Sequence, residues 1–143
     1  MADTATLLRE SIAIAASREP VITKRFYAIF HSRYPEVVPL FSKNAPEKQQ
    51  EMLQGALLAV LDHLDDATWL QDTLGAIGAG HVSYGVQDHM YPWVGECLIA
   101  ALAELCGDDW TKEHEAAWAG AYGALMGMAL AGARRERGEV AAS

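Results

Sequence analysis

Residues 67–86, ATWLQDTLGAIGAGHVSYGV, decide how this chain is read. Leu70, Leu74, Ile77 and His81 recur at spacings of four, three and four, which is one face of a single helix. A helical run over residues 67–80 therefore ends by delivering His81 on its apolar side. Gly78, Ala79 and Gly80 just before it carry almost no side chain, and Gly85 follows. An imidazole aimed inward beside bare backbone suits a neutral nitrogen ligand to a metal in a large flat cofactor. The same segment also suits a core histidine satisfied by a backbone carbonyl. Taken alone, it leaves both readings open.

Composition bounds the rest. A chain of 143 residues is long enough for one domain with a core and an enclosed ligand cavity. Its net charge of −8 argues against nucleic acid or an acidic membrane surface as the main partner. Cys97 and Cys106 lie nine positions apart in one helical run. Their Cα atoms are then roughly 13 Å apart, too far for a disulfide. Buried free thiols in a reducing compartment are expected. The start, Met1 to Thr6, has no basic segment followed by an apolar one, so no signal peptide is expected. No apolar run is expected to approach the ~20 residues that span a bilayer. These features predict a cytoplasmic protein without membrane insertion.

Every long periodic segment has helical spacing, and no alternating run reads as a strand. Leu7, Leu8, Ile12 and Ala15 mark a first helix, with Thr4 or Thr6 as its cap. Pro20 opens a second carrying Val21, Phe26, Tyr27 and Phe30. Pro35 starts a short segment over residues 36–41, closed by Ser42, Lys43 and Asn44. Pro46 opens a longer helix with Gln49, Leu53, Leu57, Val60, Leu61 and Leu64, and Asp66 or Thr68 caps the helix leading to His81. A run over about residues 88–105 sets Tyr91, Val94, Leu98, Ala101, Leu102 and Leu105 on one face. The last helix covers about residues 111–135, capped by Thr111. Its middle, residues 116–133, is apolar nearly all round and is expected to be largely buried. The sum is an all-α domain over residues 1–143, with six to seven helices, a helical core over about residues 4–135 and a polar tail over 136–143.

An all-helical chain of this length, with one inward histidine late in its fifth long segment, resembles a globin. Phe26-Tyr27 and the string Tyr34-Pro35-Glu36-Val37-Val38-Pro39-Leu40-Phe41 resemble the second and third helices of bacterial single-domain haemoglobins and of the globin part of flavohaemoglobins. Gln49-Gln50-Glu51-Met52-Leu53 resembles their distal helix. His81-Val82-Ser83-Tyr84-Gly85-Val86, followed by Tyr91-Pro92-Trp93-Val94-Gly95-Glu96-Cys97-Leu98, resembles their proximal stretch. Ala117-Trp118 and Ala121-Tyr122-Gly123 resemble the start of their last helix. The likeness runs from the first helix to about Ala133.

The resemblance implies haem b, with His81 binding the iron and the sixth position open. The other imidazole nitrogen needs a partner, either a carbonyl near Leu74 or Ile77 or the Tyr91 hydroxyl. In flavohaemoglobin-like proteins a last-helix glutamate completes that network. The matching position here is Ala133, with Glu136 too near the end to substitute, which weakens a peroxidase-type reading. Tyr27 resembles the tyrosine that reaches over the open position, where a phenol donor stabilises bound oxygen over neutral carbon monoxide. Gln49 resembles the polar distal residue, although adjacent Gln50 leaves that register open. Leu53 would press on the ligand from beside Gln49, and Phe41 would stack near the haem edge. Val86, Tyr91, Val94 and Leu98 would line the proximal wall. Tyr84, Trp69 and Trp93 read as packing, while His31, His63, His89 and His114, set among polar neighbours, read as surface residues.

Reversible oxygen binding is the function this implies, with nitric oxide and carbon monoxide as further ligands. The alternatives are a nitric oxide dioxygenase or a gas sensor working through a partner protein. A haem-free interaction module is disfavoured by His81, Tyr27 and Gln49 occurring together. The sequence carries no glycine-rich nucleotide motif, so turnover is expected to need a separate reductase.

Overall fold

Capping chemistry fixes where the helices of this chain begin. In the computed structural model, which describes residues 3–41 and 44–139, every regular element is helical. The α-helices are α1 (Thr4–Arg18), α2 (Ile22–Arg33), α3 (Pro46–Asp62), α4 (Ala67–Ser83), α5 (Tyr91–Cys106) and α6 (Lys112–Glu136). Short 3-10 turns cover Pro35–Phe41, Asp88–Met90 and Gly107–Asp109. Asp3, rather than Thr4 or Thr6, caps α1, its carboxylate accepting the Thr6 N–H at 2.8 Å. Asp66 caps α4 in the same way at Trp69, and Thr111 caps α6 at His114. Pro20 precedes α2 without entering it, and Val21 at the N-cap makes no side-chain cap bond. Ser42 and Lys43, expected to close the segment after Phe41, lie outside the described residues, as does the end of the expected tail, residues 140–143.

The core gathers Leu8 and Ile12 of α1, Ile22, Phe26 and Phe30 of α2, Leu98 and Leu102 of α5, and Trp118 of α6. Burial of apolar surface drives this assembly. Its polar exceptions are paired: the Trp118 indole donates to Ser11 Oγ at 2.8 Å, and that hydroxyl donates to the Leu8 carbonyl. Cys97 and Cys106 are buried and unpaired, as their spacing required.

Polar sequence neighbours misplace some histidines. His114 is only 3% exposed, because α1 brings the Glu10 carboxylate to within 2.6 Å of its Nε2 while Thr111 donates to its Nδ1. His63 is half-buried, its ring stacked on Trp69 at 3.8 Å, and His31 is half-buried as well. His89 is exposed.

Two expectations about glycine-rich helices are corrected. At the crossing of α4 and α6, a Cβ on Gly78 would lie 1.8 Å from the Ala129 carbonyl oxygen, and one on Gly132 would lie 2.0 Å from that of Gly75. The bare backbone of Gly78 thus admits a neighbouring helix rather than a cofactor. With so little side chain, α6 cannot cover itself: Ala119, Gly120, Gly123, Ala124 and Gly127 are exposed. By length and composition α6 is also apolar enough to cross a membrane, contrary to expectation, with 28% of its most apolar window buried. In this fold it runs along α4 and also packs on α1 and α5. Core helices pass the same compositional test.

The two glycine environments predict opposite responses to one added methyl. Gly78→Ala is expected to lower unfolding free energy by about 3 kcal/mol, since backbone must move. Gly120→Ala, with nothing within 4 Å of the new atom, is expected to raise it by about 0.5–1 kcal/mol. Urea unfolding of the two variants beside the parent measures both.

Candidate functional site

The site begins with a helix that continues through its own histidine. α4 extends to Ser83, and the chain then reverses at Gly85, whose φ of +85° is a conformation that favours glycine. The Val86 N–H bonds back to the His81 carbonyl at 3.2 Å, which closes the turn. After the Asp88–Met90 turn, α5 opens at Tyr91 and brings its phenol to His81, with Oη 3.1 Å from Nδ1. Of the expected partners for that nitrogen, the hydroxyl is the one in place.

Tyr91 is itself held. The Tyr122 hydroxyl of α6 donates to the Tyr91 carbonyl at 2.5 Å. Tyr122 fits because Gly95 has no side chain, and a Cβ there would meet the Tyr122 ring at 2.5 Å. Arg137 ties the Asp88 carboxylate to the end of α6 at 3.0 Å. Ala133 is buried where a last-helix carboxylate was sought, and Glu136 is exposed. Tyr91's acidity is lowered mainly by burial, with Asp88 acting on it through space.

His81 lines a cavity of about 140 Å³ together with Leu40, Phe41, Gln49, Met52, Tyr84 and Val86. A second cavity, of about 540 Å³, adjoins it at Phe41, Asn44 and Gln49 and is walled by Tyr27, His31 and Gln50 among others. Gln49 therefore faces both spaces, whereas Gln50 lines only the larger and its carbonyl accepts from Thr23 Oγ1 at 2.7 Å. Tyr27 packs edge-on to Phe41 with ring centroids 5.5 Å apart. Leu98 lies in the core, and Leu53 and Val94 are half-buried against it; none of the three lines either cavity. Met52, Tyr84 and Leu40, none of them expected there, line the smaller cavity. Met52 stands three positions after Gln49 on α3, an equally good helical neighbour to Leu53 at four. Tyr84 is 47% exposed at the cavity rather than packed inside, while Trp93 does pack, stacked on Tyr34.

Burial sets the protonation states. It lowers the His81 pKa, which leaves a neutral imidazole whose Nε2 bears no hydrogen bond among the described residues. It pushes the Tyr27 phenol up to about 12, so the hydroxyl keeps its proton as a donor. No cluster of three or more His, Cys, Asp or Glu suited to a metal occurs among the described residues. One neutral nitrogen beside apolar walls suits a metal carried inside an apolar cofactor, not a site built from protein ligands alone. Met52 and Val38, 48% and 43% exposed at the cavity walls, are apolar surface that such a group would cover.

Support for His81 should be measurable without any ligand. Tyr91→Phe removes the partner of Nδ1 and is expected to cost about 1 kcal/mol. Gly95→Ala displaces Tyr122 and is expected to cost about 2 kcal/mol. Denaturant titration checks both, and an unshifted midpoint in Gly95→Ala would show that Tyr122 is not anchored as described.

Comparison with known proteins places this geometry. Residues 24–129 match the family model described as Globin. A flavohemoprotein of Rhodopirellula baltica is 34% identical over 124 residues, covering 85% of this chain and 30% of that protein. One from Bordetella pertussis is 32% identical over 139 residues, covering 96% of this chain and 34% of its own length. The chain thus spans about a third of these curated relatives. An engineered carbene transferase from Rhodothermus marinus, named as a candidate nitric oxide dioxygenase, superposes with a TM-score of 0.82 at 31% identity over 94% of each chain. A bacterial globin from Campylobacter jejuni shares the fold with a TM-score of 0.80 at 24% identity, over 94% of this chain and 97% of that one. A helical fold that presents one neutral histidine to a cleft between α3 and α4, matched by these relatives along most of its length, belongs to the globin family.

Proposed function

We propose that this globin holds haem b, with His81 as the residue that would bind the iron through Nε2, and that it binds oxygen reversibly. The observation that carries the reading is the Tyr91 hydroxyl 3.1 Å from His81 Nδ1, which leaves the other nitrogen free toward the cavity. Bound haem would supply the iron at which a diatomic gas is taken up. Tyr91 fixes the imidazole orientation and tautomer, as partners of ligating histidines do. Phe41 and Val86 serve as apolar walls, and exclusion of water strengthens any hydrogen bond formed inside. Tyr27 and Gln49 serve as donors toward a polar gas in the distal space. An amide is a poor iron ligand, so Gln49 leaves that side open for exogenous molecules. Leu53, Val94 and Leu98 contribute as core behind the site rather than as its lining.

A second reading is favoured by the likeness to flavohemoproteins and to the Rhodothermus protein named as a candidate nitric oxide dioxygenase. Under it, the same residues serve conversion of nitric oxide and oxygen to nitrate, with a reductase supplying electrons. Carbon monoxide would bind as a competing ligand in either case. Two buried free thiols suit a reducing compartment such as the cytoplasm.

Absorption spectra of the purified protein in ferric, ferrous and oxygenated states test cofactor, coordination and gas binding together. A five-coordinate ferrous spectrum that converts on exposure to oxygen is expected, and His81→Ala is expected to lose it. Tyr27→Phe is expected to speed oxygen dissociation roughly 10- to 100-fold, the worth of a hydrogen bond to a charged acceptor. Gln49→Ala should alter the same rate while Gln50→Ala leaves it unchanged; the reverse would move the distal register by one residue. Sustained nitric oxide consumption with an added reductase would place the second reading first.

A further inference from the structure

Among the described residues one buried side-chain nitrogen lacks a hydrogen bond, His31 Nε2. His31 stands four residues after Tyr27 on α2, so the two side chains share a helix face, with ring centroids 5.6 Å apart. Phe30 and Phe41 flank the imidazole at 6.1 and 5.7 Å, and His31 and Tyr27 line the same 540 Å³ cavity. The Tyr27 hydroxyl likewise has no hydrogen bond among the described residues, its acidity being altered by burial alone. Two polar groups one turn apart on one helix face, neither holding a hydrogen bond among the described residues, are placed to serve one another.

The energetics sharpen the point. An enclosed polar nitrogen without a partner is destabilising, because it has given up water and gained nothing in return. An apolar ring between Phe30 and Phe41 would fill the same niche without that penalty, so an imidazole there needs a polar task. Burial lowers the His31 pKa, so the ring is neutral at neutral pH and has one proton to place.

We propose that His31 is a positioning residue for Tyr27: a turn of either side chain brings its Nε2–H to the Tyr27 phenol oxygen as a donor and points the Tyr27 O–H toward the distal cavity. This rests on the role given to Tyr27 above and adds what sets its strength as a donor. A phenol that accepts one hydrogen bond donates its own proton more strongly, because the two bonds polarise in the same direction. His31 thus tunes gas retention without touching the gas.

Ring nitrogen NMR of the full chain, haem-free and in the ferrous carbon monoxide form, reads the tautomer. The proton is expected on Nε2 at neutral pH, with a signal that moves in Tyr27→Phe. In the haem-loaded protein, His31→Phe is expected to speed oxygen dissociation roughly 5-fold, and to add nothing further in a Tyr27→Phe background. His31→Gln, whose amide can donate, should keep most of the slow rate. The proposal fails if the proton sits on Nδ1, if the Nε2 signal ignores Tyr27→Phe, if the two rate effects multiply, or if the Gln variant is as fast as the Phe variant. Should the chain take up no haem, the functional reading fails, while the haem-free spectra still decide the His31–Tyr27 pair.

Discussion

The hydrogen bond between Tyr91 Oη and His81 Nδ1 is the contact on which the functional geometry depends. It joins the last turn of α4 to the first residue of α5 across a reversal that requires glycine at position 85. An imidazole without it could rotate about its own bonds, which the ligand role proposed for His81 would not tolerate. The bond in turn relies on contacts well away from it. Tyr122 holds the Tyr91 backbone, Gly95 makes room for Tyr122, and the salt bridge from Arg137 to Asp88 ties the intervening turn to α6. Behind all of these, α4 and α6 meet backbone to backbone through Gly75, Gly78 and Gly132. Helices that close cannot slide by fractions of an ångström without collision, so the histidine inherits their rigidity.

The opposite side of the cleft follows another logic. There, polar groups are left incompletely satisfied inside an apolar setting of Phe26, Phe30 and Phe41. Tyr27 keeps its proton because burial makes the phenolate costly, and His31 stays neutral for the same reason with the opposite sign of charge. Such a site carries strength in reserve, since a low-dielectric pocket magnifies any hydrogen bond an incoming molecule completes. The His81 side of the cleft is closed by hydrogen bonds; the Tyr27 side is open to the cavity.

The helical periodicity and the string of motifs were enough to read the fold, because a 3.6-residue repeat is written directly into the order of apolar residues. His81 was readable as inward-facing for the same reason, whereas Phe41, Gln49 and Val86 were named only through the family resemblance. Tyr91 could be named as one of two partners for the imidazole, but choosing it required the position of α5. Other readings failed where local composition and spatial neighbourhood part company. His114 sits between two glutamates in sequence yet is buried, because Glu10 reaches it from α1. Gly78, three residues before His81, looked like room for a cofactor and turned out to be room for α6.

By itself, then, the sequence determined the helices, the buried face of most of them though not of α6, and the placing of His81 on an inward face. These are properties of neighbours within a few positions, where backbone geometry leaves little choice. Tertiary structure alone decided which of Leu53 and Met52 lines the cleft, which groups hold Tyr91, how much of α6 stays exposed, and that His31 keeps a nitrogen unpaired beside Tyr27. Each of those depends on how the helices cross and what they bring alongside, which the order of residues along one helix does not set.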